Sequence, residues 1–169
     1  MKSTLLITII AAIVSTVLVY CLSAQNKFAS NGDKSKGYFA FNWNSVSTST
    51  DIMQYWRSDG GRIKAIKNIV WLDYVFMAVY SSYFCFMLYR QSLHQQKPGL
   101  VHWLQAGIAG ILLCLITDAL QDYRIYSYIT SNTTVNEMRG YTYFKWSCFL
   151  FGIIPLLISL FLKINALCY

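Results

Sequence analysis

Four apolar runs, each long enough to cross a lipid bilayer, dominate this 169-residue chain. They are Leu5 to Leu22, Ile69 to Tyr89, Leu100 to Leu120 and Trp146 to Leu162. A helix needs about 20 residues to cross a hydrocarbon core of roughly 30 Å. Because the backbone must satisfy its own hydrogen bonds in lipid, such runs fold as helices. The sequence therefore predicts an all-α bundle of four transmembrane helices, forming a single membrane domain over residues 1–169.

The composition excludes other classes of protein. Hydrophobic residues make up 56% of the chain and charged residues 12%, whereas a soluble domain carries about 25% charged residues. The apolar content also excludes a disordered chain. Fourteen Lys and Arg exceed seven Asp and Glu, but the basic residues are dispersed and no recognition module has room to fold. We therefore expect no nucleic-acid partner.

The first span begins directly after Met1 and Lys2 and ends near Ser23 and Ala24, which is also typical of a secretory signal peptide. Its apolar run is longer than that of most signal peptides. We therefore interpret it as a retained membrane anchor.

The connection over residues 23–68 is predicted to face water or the membrane interface. Its first part, Asn26 to Lys36, is rich in Gly, Ser and Lys and should be flexible. Four aromatic residues follow within six positions, which is typical of an interfacial segment or of a lid on the bundle. They are Tyr38, Phe39, Phe41 and Trp43.

A short amphipathic helix is predicted next. Thr48 with Asp51 resembles a capping box, and the apolar positions run on to Trp56 before a stop at Asp59, Gly60 and Gly61. We expect this helix to lie flat at the interface. Trp43 and Trp56 would then form the lid over the end of the bundle.

The remaining connections differ in length. Arg90 to Gly99 is short and predicts a tight antiparallel hairpin. Gln121 to Tyr143 is longer, and Thr134 with Glu137 forms a second capping box ahead of the last helix. In the third span, Ala106 and Gly110 are spaced for a close helix contact, either within the bundle or between copies of a homo-oligomer.

The orientation signals conflict. With Lys145 set aside, four Lys and Arg lie on the side of the termini and the second connection, and nine lie on the opposite side. This asymmetry favours a cytoplasmic first connection, whereas a chain beginning Met-Lys-Ser favours a cytoplasmic amino terminus. We favour the second orientation, because the short amino end is the first charge that the insertion machinery meets.

Three charged residues are predicted to meet inside the bundle. Asp73, Asp118 and Lys145 fall on the side of the first and third connections, each roughly 3 to 6 Å from the interface by the helical rise. Isolated charges there are costly, so Lys145 is expected to pair with Asp118 or Asp73. Helical spacing adds Gln121 and Asp122 after Asp118 and places Tyr80 two turns from Asp73.

Four roles remain open for this polar cluster. The charges could join three helices structurally, bind a small ligand or lipid headgroup, conduct protons or ions, or catalyse a reaction. We assign no catalytic residue, cofactor or metal. The two histidines, His94 and His102, flank the opposite end of the bundle, and the five cysteines form no CxxC pair.

Several of these motifs together resemble those of a family of small uncharacterised bacterial four-helix integral membrane proteins. The resemblance covers roughly Thr48 to Leu162 and is carried by four segments. They are Thr50 to Trp56, Leu72-Asp73-Tyr74-Val75-Phe76 leading to Tyr80, Asp118-x-x-Gln121-Asp122, and Phe144-Lys145-Trp146. The family's third motif is closer to Asp-x-x-Glu-Asn, from which this chain departs at Gln121 and Asp122. The resemblance implies a multi-pass protein of the bacterial inner membrane whose polar cluster belongs together, and it implies no activity.

The sequence thus predicts a non-enzymatic membrane protein whose polar pocket, at one end of the bundle, binds a small ligand, a lipid or a partner. One alternative is a subunit of an oligomeric pore or transporter. The other is a membrane-embedded enzyme that modifies lipid through Asp73 and Asp118. The expected surroundings are the lipid bilayer.

Overall fold

The computed structural model describes residues 2–131 and 138–165, and within these residues the chain is entirely helical. The α-helices of this part are α1 (Lys2–Ala29), α2 (Tyr38–Phe41), α3 (Val46–Arg57), α4 (Gly60–Leu93), α5 (Pro98–Ser131) and α6 (Arg139–Asn165), with a 3-10 turn at Lys34–Lys36. Among these described helices, four are long and apolar enough to cross a membrane: α1, α4, α5 and α6. The predicted all-α class with four candidate spans is confirmed at this level.

Packing among the long helices leaves a broad apolar surface on the outside. α5 packs against both α4 and α6, and α1 packs against α4. Large apolar side chains point outward from all four helices, including Ile13, Trp71, Ile116 and Leu157. A water-soluble monomer does not expose so much contiguous apolar surface. This surface therefore indicates a multi-pass membrane protein.

The helices extend beyond the predicted spans. α4 and α5 have 34 residues each, which corresponds to about 51 Å at the helical rise. Residues 60–68 and 121–131, interpreted from sequence as parts of connections, are helical extensions of α4 and α5. The hydropathy pattern identified only the apolar middle of each helix. The helices are longer because their backbone hydrogen bonds continue into amphipathic turns at the ends.

The part of the first connection that was predicted to be flexible, Asn26 to Lys36, is partly helical, with a 3-10 turn at Lys34–Lys36. α1 continues to Ala29, and the Asn26 side chain accepts a 2.7 Å hydrogen bond from the Tyr38 backbone N–H. The segment 34–57, which we call the cap, packs onto the ends of α4 and α5. Its buried side chains join those of the long helices in one apolar core, which includes Tyr38, Phe41, Ile52, Met53, Trp56, Ile66, Ile69, Ile125 and Met138.

Two predicted helix boundaries are also wrong. α3 begins at Val46 with Ser45 as its N-cap, so Thr48 and Asp51 lie inside the helix and do not cap it. The two glycines that were expected to end this helix instead begin α4, whose N-cap is Asp59. The second predicted capping box, at Thr134 and Glu137, lies outside the described residues.

The Asp59 cap gives a testable prediction. Its carboxylate accepts a 2.7 Å hydrogen bond from the Gly61 N–H and lies 3.8 Å from the Arg62 guanidinium. We expect Asp59→Ala to lower the free energy of unfolding by about 1 kcal/mol, because the cap is lost. Asp59→Asn keeps a capping oxygen and loses only the exposed ion pair, so it should change stability by less than about 0.5 kcal/mol. Equal thermal shifts for the two variants in detergent would contradict this assignment.

Helices α5 and α6 approach each other most closely at glycines. A Cβ atom added to Gly107 would lie 2.8 Å from the Gly152 carbonyl oxygen, and one added to Gly110 would lie 3.0 Å from the Cys148 carbonyl oxygen. Of the predicted Ala106 and Gly110 pair, Gly110 is at this contact, and Gly107 takes the place expected for Ala106. The close-packing face of α5 is therefore used within the chain, beside a second apolar core of Leu88, Leu104, Ile111 and Leu156.

Candidate functional site: a charged cavity under the cap

Four elements bring polar side chains together between the two apolar cores. α4 contributes Asp73 and Tyr80, α5 contributes Asp118, Gln121 and Asp122, α6 contributes Thr142 and Lys145, and the cap contributes Tyr38 and Asn42. Tyr80 lies just past the middle of α4, and the other polar positions on α4, α5 and α6 lie in the half of each helix nearer the cap. They meet because the three helices alternate in direction.

An ion pair in the cluster joins α5 to α6. Lys145 Nζ lies 2.5 Å from Asp118 Oδ1, and the two side chains are only 15% and 7% exposed. Tyr80 donates a 3.2 Å hydrogen bond to Asp118 Oδ2 from α4. Asp118 is therefore the group through which all three helices are connected.

Tyr38 of the cap joins the two other carboxylates. Its hydroxyl donates to Asp122 Oδ1 and lies 3.4 Å from Asp73 Oδ2. Burial of the ring, followed by the negative charge of Asp122, raises the pKa of Tyr38 well above its ordinary value. The phenol therefore stays protonated and acts as the donor that the carboxylates need.

A second polar chain holds the cap to α5 and α6. Gln121 Nε2 donates a 2.9 Å hydrogen bond to Thr142 Oγ1. The Thr142 hydroxyl in turn donates a 2.8 Å hydrogen bond to the backbone carbonyl oxygen of Asn42. Three buried acceptor atoms among these groups have no hydrogen-bond partner in the described residues. They are Asn42 Oδ1, Gln121 Oε1 and Asp122 Oδ2. Unsatisfied buried acceptors are rare in folded proteins and call for a physical explanation.

A cavity of about 330 Å³ opens beside these groups. Its charged end consists of Asp73, Asp118 and Lys145, and the cap covers it with Tyr38, Phe39, Asn42 and Trp43. The other walls are mostly aromatic and are formed by Phe76, Tyr80, Phe84, Trp146 and Phe149. α4 and α6 contact each other far less than each contacts α5, which leaves room for the cavity between them.

The charges of the cluster do not balance. Of its three carboxylates, Asp118 alone forms an ion pair within the described part of the chain. Oxygens of Asp73, Asp118 and Asp122 lie within 4.8 Å of one another, an arrangement that could hold a metal ion. Three carboxylates and one ammonium sum to a formal charge of −2. Like charges this close repel strongly, so either one carboxylate binds a proton or a cation lies beside them.

The structure brings all six residues of the predicted polar cluster into one region. Trp43 lines the cavity and is half exposed. Trp56 lies behind the lid instead, fully buried, with its ring 5.1 Å from that of Phe41 and its Nε1 donating to the Lys36 carbonyl. It supports the cap and does not line the cavity.

Sequence reasoning missed Tyr38, Asn42 and Thr142. Tyr38 belongs to the aromatic segment of the first connection, and its hydroxyl was the one signal that could have distinguished it from its neighbours. Asn42 and Thr142 carry no such signal, because their positions near the cluster depend on how the cap folds back onto α6.

Comparison with known proteins gives no activity for this geometry. No family model, no curated protein and no solved structure matches the chain. The resemblance to a bacterial membrane family therefore stays an expectation based on short motifs.

Proposed function

We propose that this protein is an integral membrane protein with a four-helix bundle whose cavity binds a small amphipathic ligand or lipid without chemically changing it. The observation that carries the proposal is the 330 Å³ cavity, which has aromatic walls and a charged end. Ligand sites typically combine a mostly apolar surface with a few convergent polar groups, at volumes of roughly 300 to 1,000 Å³.

The position of the cavity suggests how a ligand enters. Phe39, Trp43 and Trp146 line the cavity and are each about half exposed, and such aromatic residues favour the membrane interface. The cap, which includes α3, would lie at that interface, and a ligand would enter between α4 and α6. Its apolar part would contact Phe76, Phe84 and Phe149, and its polar part would reach Asp73.

The alternatives receive less support. The Asp118–Lys145 ion pair joins α5 to α6 whether or not a ligand binds. A purely structural role, however, does not explain the aromatic cavity beside it. The glycine face of α5 that suggested an oligomeric pore contacts α6 of the same chain. His94 ends α4 far along the helix from Asp73 and Tyr80, so it supplies no base for catalysis at the cluster. We retain the bacterial inner membrane as the proposed location and the lipid bilayer as the surroundings.

The proposal predicts that filling the cavity abolishes binding. Cys114 lines the cavity and is buried, so Cys114→Phe would place a ring inside it. We expect 4-phenylbutanol to bind the wild-type protein saturably in detergent and at least tenfold more weakly to this variant, as measured by isothermal titration calorimetry.

The matched control is Ile116→Phe on the same helix, at a side chain that is 56% exposed on the outer surface. This variant should bind 4-phenylbutanol like the wild type. Heats of equal size and shape for all three proteins would indicate partition into the detergent and would overturn the proposal.

A further inference from the structure

We infer that the cavity selects an organic monocation, that is, an amine-type head group carried on an apolar or aromatic body. The inference deepens the proposed function and rests on it, because it names the chemical class of the ligand. The charges, an unsatisfied acceptor and the aromatic walls support it separately.

One end of the cavity carries an excess of negative charge. Lys145 lies against Asp118, which leaves Asp73 at the cavity wall and Asp122 behind it, both without a cationic partner among the described residues. The Tyr38 hydroxyl is neutral and supplies a single hydrogen for both of these carboxylates. A ligand cation near Asp73 would supply the missing positive charge in a poorly solvated site, where such interactions are strong.

A buried amide oxygen of the cap also requires a donor, independently of the acidic residues. Asn42 lines the cavity and is only 8% exposed, yet its Oδ1 has no hydrogen-bond partner in the described chain. This atom is an acceptor, so the group that satisfies it must be a donor. An ammonium has hydrogens for both Asn42 and Asp73, whereas a carboxylate or phosphate has none to offer when ionised.

The aromatic walls favour an organic cation over a metal ion. A cavity of about 330 Å³ is far larger than a single ion requires, and Lys145 already places its ammonium 2.5 Å from one of the three potential metal ligands. Trp43, Trp146 and Phe149 line the same space, and aromatic faces attract organic cations as well as apolar groups. An anionic lipid headgroup is disfavoured because the charge of Lys145 is already matched by Asp118.

Three probes with the same phenylbutyl body test the inference: 4-phenylbutylamine, 4-phenylbutanol and 4-phenylbutyrate. We expect the amine to bind the full-length protein at least tenfold more tightly than the alcohol at neutral pH, and the carboxylate to bind most weakly. Asp73→Asn should reduce the affinity for the amine to within about threefold of the affinity for the alcohol, and it should leave the affinity for the alcohol unchanged. Asp51→Asn, at an exposed acid on α3, is the control and should change neither affinity.

The other outcomes separate this inference from the proposed function. Binding of the alcohol with no preference for the amine would overturn the inference and leave the pocket in place. Failure of all three probes to bind would overturn both. If Mn²⁺ competed with the amine, and if this competition were lost in Asp73→Asn, the site would be one for an inorganic cation and the organic assignment would be overturned. If Asp73→Asn does not fold, Asn42→Ala provides the test, since it removes the acceptor and should weaken the amine more than the alcohol.

Discussion

We expect Lys145→Met to lower the free energy of unfolding by about 3 to 5 kcal/mol, because it leaves the buried Asp118 carboxylate without its ammonium partner. Asp118→Asn should cost less. Lys145 can then turn toward Asp73 or Asp122, whose oxygens lie within 4.8 Å of those of Asp118, and the introduced amide oxygen can still accept from Tyr80. The double variant should recover most of the stability lost in Lys145→Met. A double-mutant cycle of thermal or denaturant unfolding in detergent measures this coupling.

The control is the same substitution at an exposed ion pair. Lys36 and Asp33 lie 3.4 Å apart and both side chains are 46% exposed, so Lys36→Met should leave the stability nearly unchanged. If Lys145→Met were equally harmless, the cluster would be hydrated and the Asp118–Lys145 bond would not hold the helices together.

The second large effect is expected at the contact between α5 and α6. Gly107→Leu should lower the free energy of unfolding by about 2 to 3 kcal/mol, because overpacking cannot be relieved against backbone. The first added carbon would lie 2.8 Å from the Gly152 carbonyl oxygen and 3.1 Å from a Leu88 methyl group. The helices would have to separate, which would also widen the cavity. We therefore expect weaker binding of 4-phenylbutanol in this variant.

Gly140→Leu is the matched control for this prediction. Gly140 is the second residue of α6, is exposed, and has open space around the position of an added Cβ. Its replacement should leave the unfolding temperature unchanged or raise it slightly, since leucine favours helix more than glycine does. A larger loss for Gly140→Leu than for Gly107→Leu would contradict the assigned packing of α5 against α6.

The sequence predicted the parts of the fold that depend on contiguous composition. The four apolar runs lie within α1, α4, α5 and α6, because the preference for hydrocarbon sums over neighbouring residues in one segment. The ends of the helices were predicted less well. Ser45 occupies the N-cap position of α3 without a side-chain capping bond, and Asp59 caps α4. Nothing in the local pattern distinguished these two residues from Thr48 and the two glycines.

The polar cluster was accessible to sequence reasoning for a similar reason. A charge inside an apolar run is costly, so Asp73, Asp118 and Lys145 each required a partner. Alternation of helix direction then placed them at one level. The identity of the partners was not accessible. Tyr38 reaches Asp122 from 84 positions away along the chain, and Asn42 reaches the cavity only because the cap folds back.

By itself, the sequence determined that this chain is helical, that four of its segments suit a membrane, and that its buried charges would gather at one end. These properties follow from hydropathy and helical geometry, which act over a few turns. Only the tertiary structure decided that the first connection is a packed cap, that Gly107 and Gly152 let α5 and α6 touch, and that an aromatic cavity opens beside Asp73. Those features arise where distant segments meet, and side-chain shape and hydrogen-bond direction decide the result there.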